Sequence, residues 1–205
     1  EFMASVLTSE KADVERIAFL IDECKKMNVE VLPPNINESL KNFTVVPEKN
    51  QIRFGLLAVK NVGVNIIDAV VEERKTNGPF KSIGDFVTRI HSKDMNKKSM
   101  EALIKSGAFD SLGERGQLLA NLEKLLEIAR ENNKNGNSKQ IGLFASVPAV
   151  SAINIKLDLA NPATNFEKLG WEKELLGLYV SSHPLNDFKK LFETKTTPLM
   201  KIDSA

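Results

Sequence analysis

The chain has little of the chemistry that most enzymes lean on. Its 205 residues include one cysteine, two histidines, one tryptophan and one tyrosine. One cysteine, Cys24, excludes an internal disulfide framework, and its place on an apolar helical face reads as a small buried hydrophobe. His91 and His183 without a Cys/His cluster exclude a zinc site. His183 stands before Pro184 and reads as a turn residue rather than a general base. No Asp-x-Asp pair, no phosphate-binding Walker loop and no nucleophile elbow occurs. We therefore assign no catalytic residue and no metal ligand. No apolar run approaches the roughly 20 residues of a membrane span, and no signal-peptide pattern is read, so no membrane partner and a cytoplasmic setting are expected. The formal net charge is +1, which gives no global pull toward nucleic acid; such binding must come from a local patch or from backbone geometry. The start, "EFMASVLTSE", lacks a Met at position 1 and reads as an internal piece of something longer.

What is present is helical patterning. Residues 9–27 read as one helix with Val14, Ile17, Ile21 and Cys24 on a face, Ser9 as cap and Asn28 as left-handed stop. "VEVLPPNINES" reads as extended, because Pro33 and Pro34 forbid a helix. "NFTVV" and "NQIRFGLLAV" read as a lone hairpin that needs helices to cover it, with Phe43 and Val45 sharing a face with Ile52 and Phe54. From Gly55 on the pattern is helical: "LLAVKN", a tight break at "VGVN", "IIDAVVEERKTN" up to Gly78, "SIGDFVTRI", and "KKSMEALIKS" up to Gly107. "QLLANLEKLLEIARENN" is the longest expected helix, with Leu118, Leu122, Leu125, Leu126 and Ala129 on its apolar side. "SAINIKLDLANPATN" reads as loop, and "FEKLGWEKELLGLYVSSHPL" as a helix breaking at Ser181–Pro184. The fold class is mainly α: small helical domains with tandem helix–hairpin–helix units, one short β-hairpin, and a flexible tether.

Two features carry candidate functions. In "LLAVKNVGVNIIDAVVEER", two helices joined by a Gly-containing hairpin can aim backbone N–H groups outward at a phosphate oxygen without reading a base. The candidate DNA-binding residues are Lys60, Asn61, Gly63, Val64 and Asn65, with Gly63 as the tight turn and Asn65 as the N-cap. A looser second unit, "ALIKSGAFDSLGERGQLLANL", adds Ser106, Gly107 and Ala108. Between Gln51 and Arg115 eleven basic residues face eight acidic ones, a modest positive bias. An ordinary packing unit of two helices fits the same pattern, and both readings stand. The second feature is "QIGLF" after an Asn/Lys/Gly/Ser run: either a satellite of the core, or a docking peptide in which Leu143 and Phe144 fill a pocket and Gln140 bonds at its rim.

Taken together, "IDECKKMNVEVLPPNINES", "IRFGLLAVKNVGVNIIDAVVEER", "LIKSGAFDSLGERGQLLANLE", "QIGLF" and "WEKELLGLYVSSHPL" resemble, in order and over nearly the whole chain, the alpha subunits of bacterial DNA polymerase III, the C-family replicative polymerases. The resemblance implies that residues 1–53 are the end of a fingers domain and 54–131 a tandem helix–hairpin–helix region that holds duplex DNA. It implies that 132–150 is a tether with a clamp-binding motif and 151–205 a connector toward an OB-fold domain that the chain lacks. Gln140, Ile141, Gly142, Leu143 and Phe144 fit each place of the family's internal sliding-clamp motif. The family's three catalytic aspartates, with their magnesium, belong to a palm domain upstream. The chain is thus expected to have no cofactor and no polymerase activity of its own, and to meet double-stranded DNA, the sliding clamp and other replicase subunits. One departure is Asn65, where the commonest phosphate-binding hairpin has a second glycine. The alternatives are a purely structural helical connector and a helix–hairpin–helix module of a repair enzyme.

Overall fold

The computed structural model describes residues 1–91, 95–137, 155–182, 184, 185, 188 and 194–196. The helix expected over residues 9–27 is α2 (Val14–Lys26), and a helix that the sequence reading did not assign, α1 (Phe2–Ser9), precedes it. Asp13, rather than Ser9, caps α2, accepting from the amides of Glu15 and Arg16 at 3.0 Å. A carboxylate there satisfies two orphan donors and meets the positive end of the dipole. Ile17, Leu20, Ile21 and Cys24 are buried. Asn28 (φ 56°) stops α2 as its sequence suggested, and the Val29 amide reaches back to the Cys24 carbonyl at 2.8 Å, which answers an orphan carbonyl of the last turn.

The expected hairpin gains a third strand. β2 (Thr44–Val45) is antiparallel to β3 (Gln51–Arg53), and β1 (Glu30–Leu32) joins β3 in parallel, giving the order β1-β3-β2. Phe43, Ile52 and Phe54 are buried as expected, whereas Val45 is exposed on its edge strand. The Phe43 and Phe54 rings meet at 4.6 Å. Gly55 lies against the Asn42–Phe43 backbone so closely that a Cβ would come within 2.5 Å of it. The covering layer is helical, as the shortage of strand surface requires.

After a 3-10 turn (Leu56–Ala58) come α3 (Val64–Asn77), α4 (Ile83–Arg89) and α5 (Lys97–Lys105). Gly78 (φ 81°) and Gly107 (φ 85°) take the left-handed positions that end α3 and the turn after α5. Phe80, Phe86 and Phe109 form a chain of edge-to-face rings at 5.1 and 4.7 Å through the core. The Arg74 guanidinium of α3 donates to the carbonyls of Ile36 (2.7 Å) and Ser39 (2.9 Å). This fixes the loop after β1 on the helical layer, and burial lowers the pKa of that guanidinium.

The longest expected helix is broken into α6 (Arg115–Ala120) and α7 (Leu122–Asn137). Asn121 breaks it. Its side-chain amide pairs with the peptide of Asp158, donating to the carbonyl (3.0 Å) and accepting from the amide (2.8 Å). The returning strap, residues 155–164, thereby lies across α6 and α7. Gly116 has no side chain because Asn161 O would stand 2.5 Å from its Cβ. All five residues assigned to the apolar side, Leu118 to Ala129, are buried. α8 (Asn165–Leu175) is opened by a Thr164–Glu167 capping box and packs on α5. It ends six residues earlier than the expected break at Ser181, because Leu176 closes the helix and Gly177 (φ 82°) turns the chain back.

Candidate nucleic-acid interface

The first hairpin is built from a buried anchor and an exposed rim. Val62 is buried, while Lys60, Asn61, Gly63, Val64 and Asn65 are exposed. The left-handed residue that makes the turn tight is Asn61 (φ 67°), not Gly63; Asn is one of the few side chains that tolerates this region. Gly63 is extended (φ −79°, ψ 157°) and is itself the N-cap of α3. Asn65 therefore sits inside the first turn rather than capping it. Turning at Asn61 delivers the chain to the helix two residues before the sequence suggested.

The consequence is an open helix start. No side chain caps α3, and no acidic residue lies in its first turn, so nothing from its own sequence competes for the orphan N–H groups there. A Cβ on Gly63 would meet no atom within 4 Å; the glycine leaves clear space in front of those donors. The acid of the next turn, Asp68, is paired with Lys41 at 2.9 Å. A bare helix N-terminus of this kind favours an anion.

The second unit is closed. Ser106, Gly107 and Ala108 are all buried. The Ser106 hydroxyl donates to Leu103 O at 3.1 Å, the Gly107 amide to Ile104 O and the Ala108 amide to Leu103 O, while Ala108 O accepts from Ile36 N. A side chain on Gly107 would run into the Arg115 guanidinium. The three residues named for this turn spend their polar groups internally, so none of them faces outward. The physical reason is Arg115 itself. Its side chain is buried, bonded to both Asp110 carboxylate oxygens (2.8 and 2.7 Å), to Glu172 (3.1 Å) and to Lys105 O (3.1 Å). Burial works against its charge, but the Asp110 and Glu172 carboxylates outweigh it and hold the pKa above the ordinary arginine value.

Glu172 is buried too, and its other oxygen accepts from Val180 N, Ser181 N and the Ser181 hydroxyl at 3.0, 3.0 and 3.1 Å. Sequence reading missed this pair: 57 residues separate the partners, and no local pattern marks a charge for burial. It also missed Glu114, the side-chain cap of α6, which accepts from Gln117 N and Ala163 N and pairs with Lys168 at 3.1 Å. Burial raises its pKa, but these partners together hold it below the usual carboxylate value.

The clamp-motif residues Gln140, Ile141, Gly142, Leu143 and Phe144 lie outside the described residues, as does His183. The chain leaves α7 and comes back at the strap, where Lys124 of α7 holds the Lys156 carbonyl at 2.7 Å. The segment that carries the motif is thus flanked on both sides by structure. Among the described residues no group of three or more His, Cys, Asp or Glu side chains is placed to hold a metal, and no helix is long and apolar enough to cross a membrane.

Residues 28–118 match the family model of the helix-hairpin-helix motif, which takes in both hairpins and stops within α6. The chain is similar to the DNA polymerase III subunit alpha of Thermus aquaticus, with 41% identity over 98% of this chain and 16% of that protein. It is similar to the subunit of the same name in Deinococcus radiodurans (39% identity, 100% of this chain, 15% of that protein) and in Campylobacter jejuni (41%, 92% and 16%). The chain spans about one-sixth of the length of these curated relatives.

Proposed function

Because the chain belongs to the DNA polymerase III alpha subunit family, as one segment of a much longer protein, we propose that it holds duplex DNA by the phosphate backbone within a replicative DNA-directed DNA polymerase. The observation that carries this reading is the open start of α3. It combines an exposed hairpin, an uncapped helix N-terminus, clear space over Gly63 and a matching helix-hairpin-helix model. Amides of the first turn would receive a phosphate oxygen, and Lys60 would add a charge beside it. Such contacts carry no sequence preference and weaken as salt displaces the advantage of counterion release. Of the two hairpins, the one at Lys60–Asn65 has this form. The turn at Ser106–Ala108 acts as a structural joint, so the connector reading holds for that half of the unit.

The nucleotidyl transfer belongs to the parent protein. Its magnesium and catalytic aspartates belong upstream, in the palm domain that the resemblance implies. We assign no chemical step to this chain. A second role, docking of Gln140–Phe144 to the sliding clamp, rests on the match of those five residues to the family's motif. It is supported by the anchoring of the chain on α7 at both flanks. Contacts with other replicase subunits and a cytoplasmic setting follow from the same reading of the parent.

Titration of this chain with a fluorescent duplex at two salt concentrations tests the first role. Binding that weakens with salt and is lost in Gly63→Glu, which places a carboxylate before the helix start, supports it; wild-type affinity in Gly63→Glu overturns it. For the clamp, Leu143→Ala with Phe144→Ala is expected to abolish binding to the purified clamp, and unchanged binding removes that role.

A further inference from the structure

We infer that α8 is part of the duplex-binding unit: its C-terminal turn positions the first hairpin, and Glu172 is the residue that sets this position. The inference rests on the duplex reading above and extends it beyond the matched region, which ends at residue 118.

The link is a single backbone bond at the hairpin. The Lys60 amide donates to the Leu175 carbonyl at 3.1 Å. Leu175 is the last residue of α8, so its carbonyl is one of the orphan acceptors at a helix end. The hairpin supplies the missing donor, and in return its first residue is held next to Asn61, the left-handed residue that makes the turn. Lys60 is otherwise on an exposed rim, between the buried Val59 and Val62.

The place of that carbonyl depends on where α8 sits, and Glu172 fixes this. One carboxylate oxygen takes the Arg115 guanidinium of α6. The other gathers the amides of Val180 and Ser181 and the Ser181 hydroxyl, folding the chain after α8 back onto the helix. Leu175, Leu176 and Leu178 complete the seat in the core. Arg115 is also the group that closes the second hairpin through Asp110. Arg115 therefore joins the two turns: its pair with Asp110 closes the inward one, and its buried pair with Glu172 aims the outward one. Glu172 touches no DNA in this account; it is a positioning residue acting through Leu175 and Lys60.

The test compares the whole chain with Glu172→Ala and with the milder Glu172→Gln, which keeps one carbonyl acceptor. Two readouts are taken on any variant that retains the wild-type circular dichroism spectrum: amide hydrogen exchange residue by residue, and duplex affinity. The expected result is faster exchange at Lys60 with unchanged exchange at Phe86 and Met100, and a loss of duplex affinity of about fivefold or more, a typical coupling between separate sites. Unchanged exchange at Lys60, unchanged affinity, or uniform acceleration at Lys60, Phe86 and Met100 overturns the inference. If the wild-type chain itself does not bind duplex, the reading of the hairpin fails and takes this inference with it. If the wild type binds and folded Glu172→Gln binds equally well, the inference alone fails.

Discussion

The two hairpins look alike in sequence and are opposites in structure. Each joins two helices through a short turn with a glycine near its centre. At Lys60–Asn65 the glycine is extended, its surroundings are empty and the following helix has no side-chain cap. At Ser106–Ala108 the glycine is left-handed, its surroundings are filled by Arg115, and the turn's amides already have partners. A glycine in a turn is thus two different signals. One marks a backbone angle that other residues resist; the other marks space that something outside the protein can use. Only the second points to a ligand.

The largest effect expected from this contrast is at Arg115. Arg115→Ala strands the buried Glu172 carboxylate, and removing one partner of a buried pair costs about 3–5 kcal/mol. Chemical denaturation is expected to show that loss, and a change below about 1 kcal/mol would mean the cluster is not sealed. Next is Gly107→Ala. The left-handed angle alone costs about 1–2 kcal/mol, and the added methyl pushes on an arginine held by its ion pairs, so a clear drop in melting temperature is expected. A smaller effect is expected from acid. The Glu114 pKa is lowered in the folded chain, so its contribution is fully present above the unfolded value of about 4.3 and is lost as pH falls through the folded value. Glu114→Gln is expected to flatten that part of the stability profile without altering its shape near neutrality. The smallest is Gly63→Ala, which meets open space at an ordinary backbone angle and loses only the advantage of glycine over alanine at an N-cap, about 0.5–1 kcal/mol. The pair Gly107→Ala and Gly63→Ala is the sharpest form of the comparison: the same substitution, large at one turn and small at the other.

Much of this was legible in the residues. The end of α2 at Asn28, the end of α3 at Gly78 and the buried face of α7 follow from local rules that the fold does not override. The misses share a cause, which is pairing between distant segments. β1 joins β3 across the loop of Pro33 and Pro34, and Asn121 breaks a strong helical pattern because its amide is used by Asp158, 37 residues on. Arg115 is buried because Glu172 meets it. At the candidate site the turn was picked out by pattern, but the backbone role of each residue was not. Asn61 took the left-handed angle given to Gly63, and Gly63 took the cap given to Asn65. The two-residue shift goes with the start of α3 at Val64, which places Ile66 and Ile67 in the core.

The most direct test of the central claim, that one hairpin faces DNA and the other faces the protein, is an amide NMR titration of the chain with a short duplex. The account predicts shifts that cluster at Lys60 to Ile66 and leave Ser106 to Ala108 unmoved. Shifts at Ser106 to Ala108 with none at Lys60 to Ile66 would contradict it.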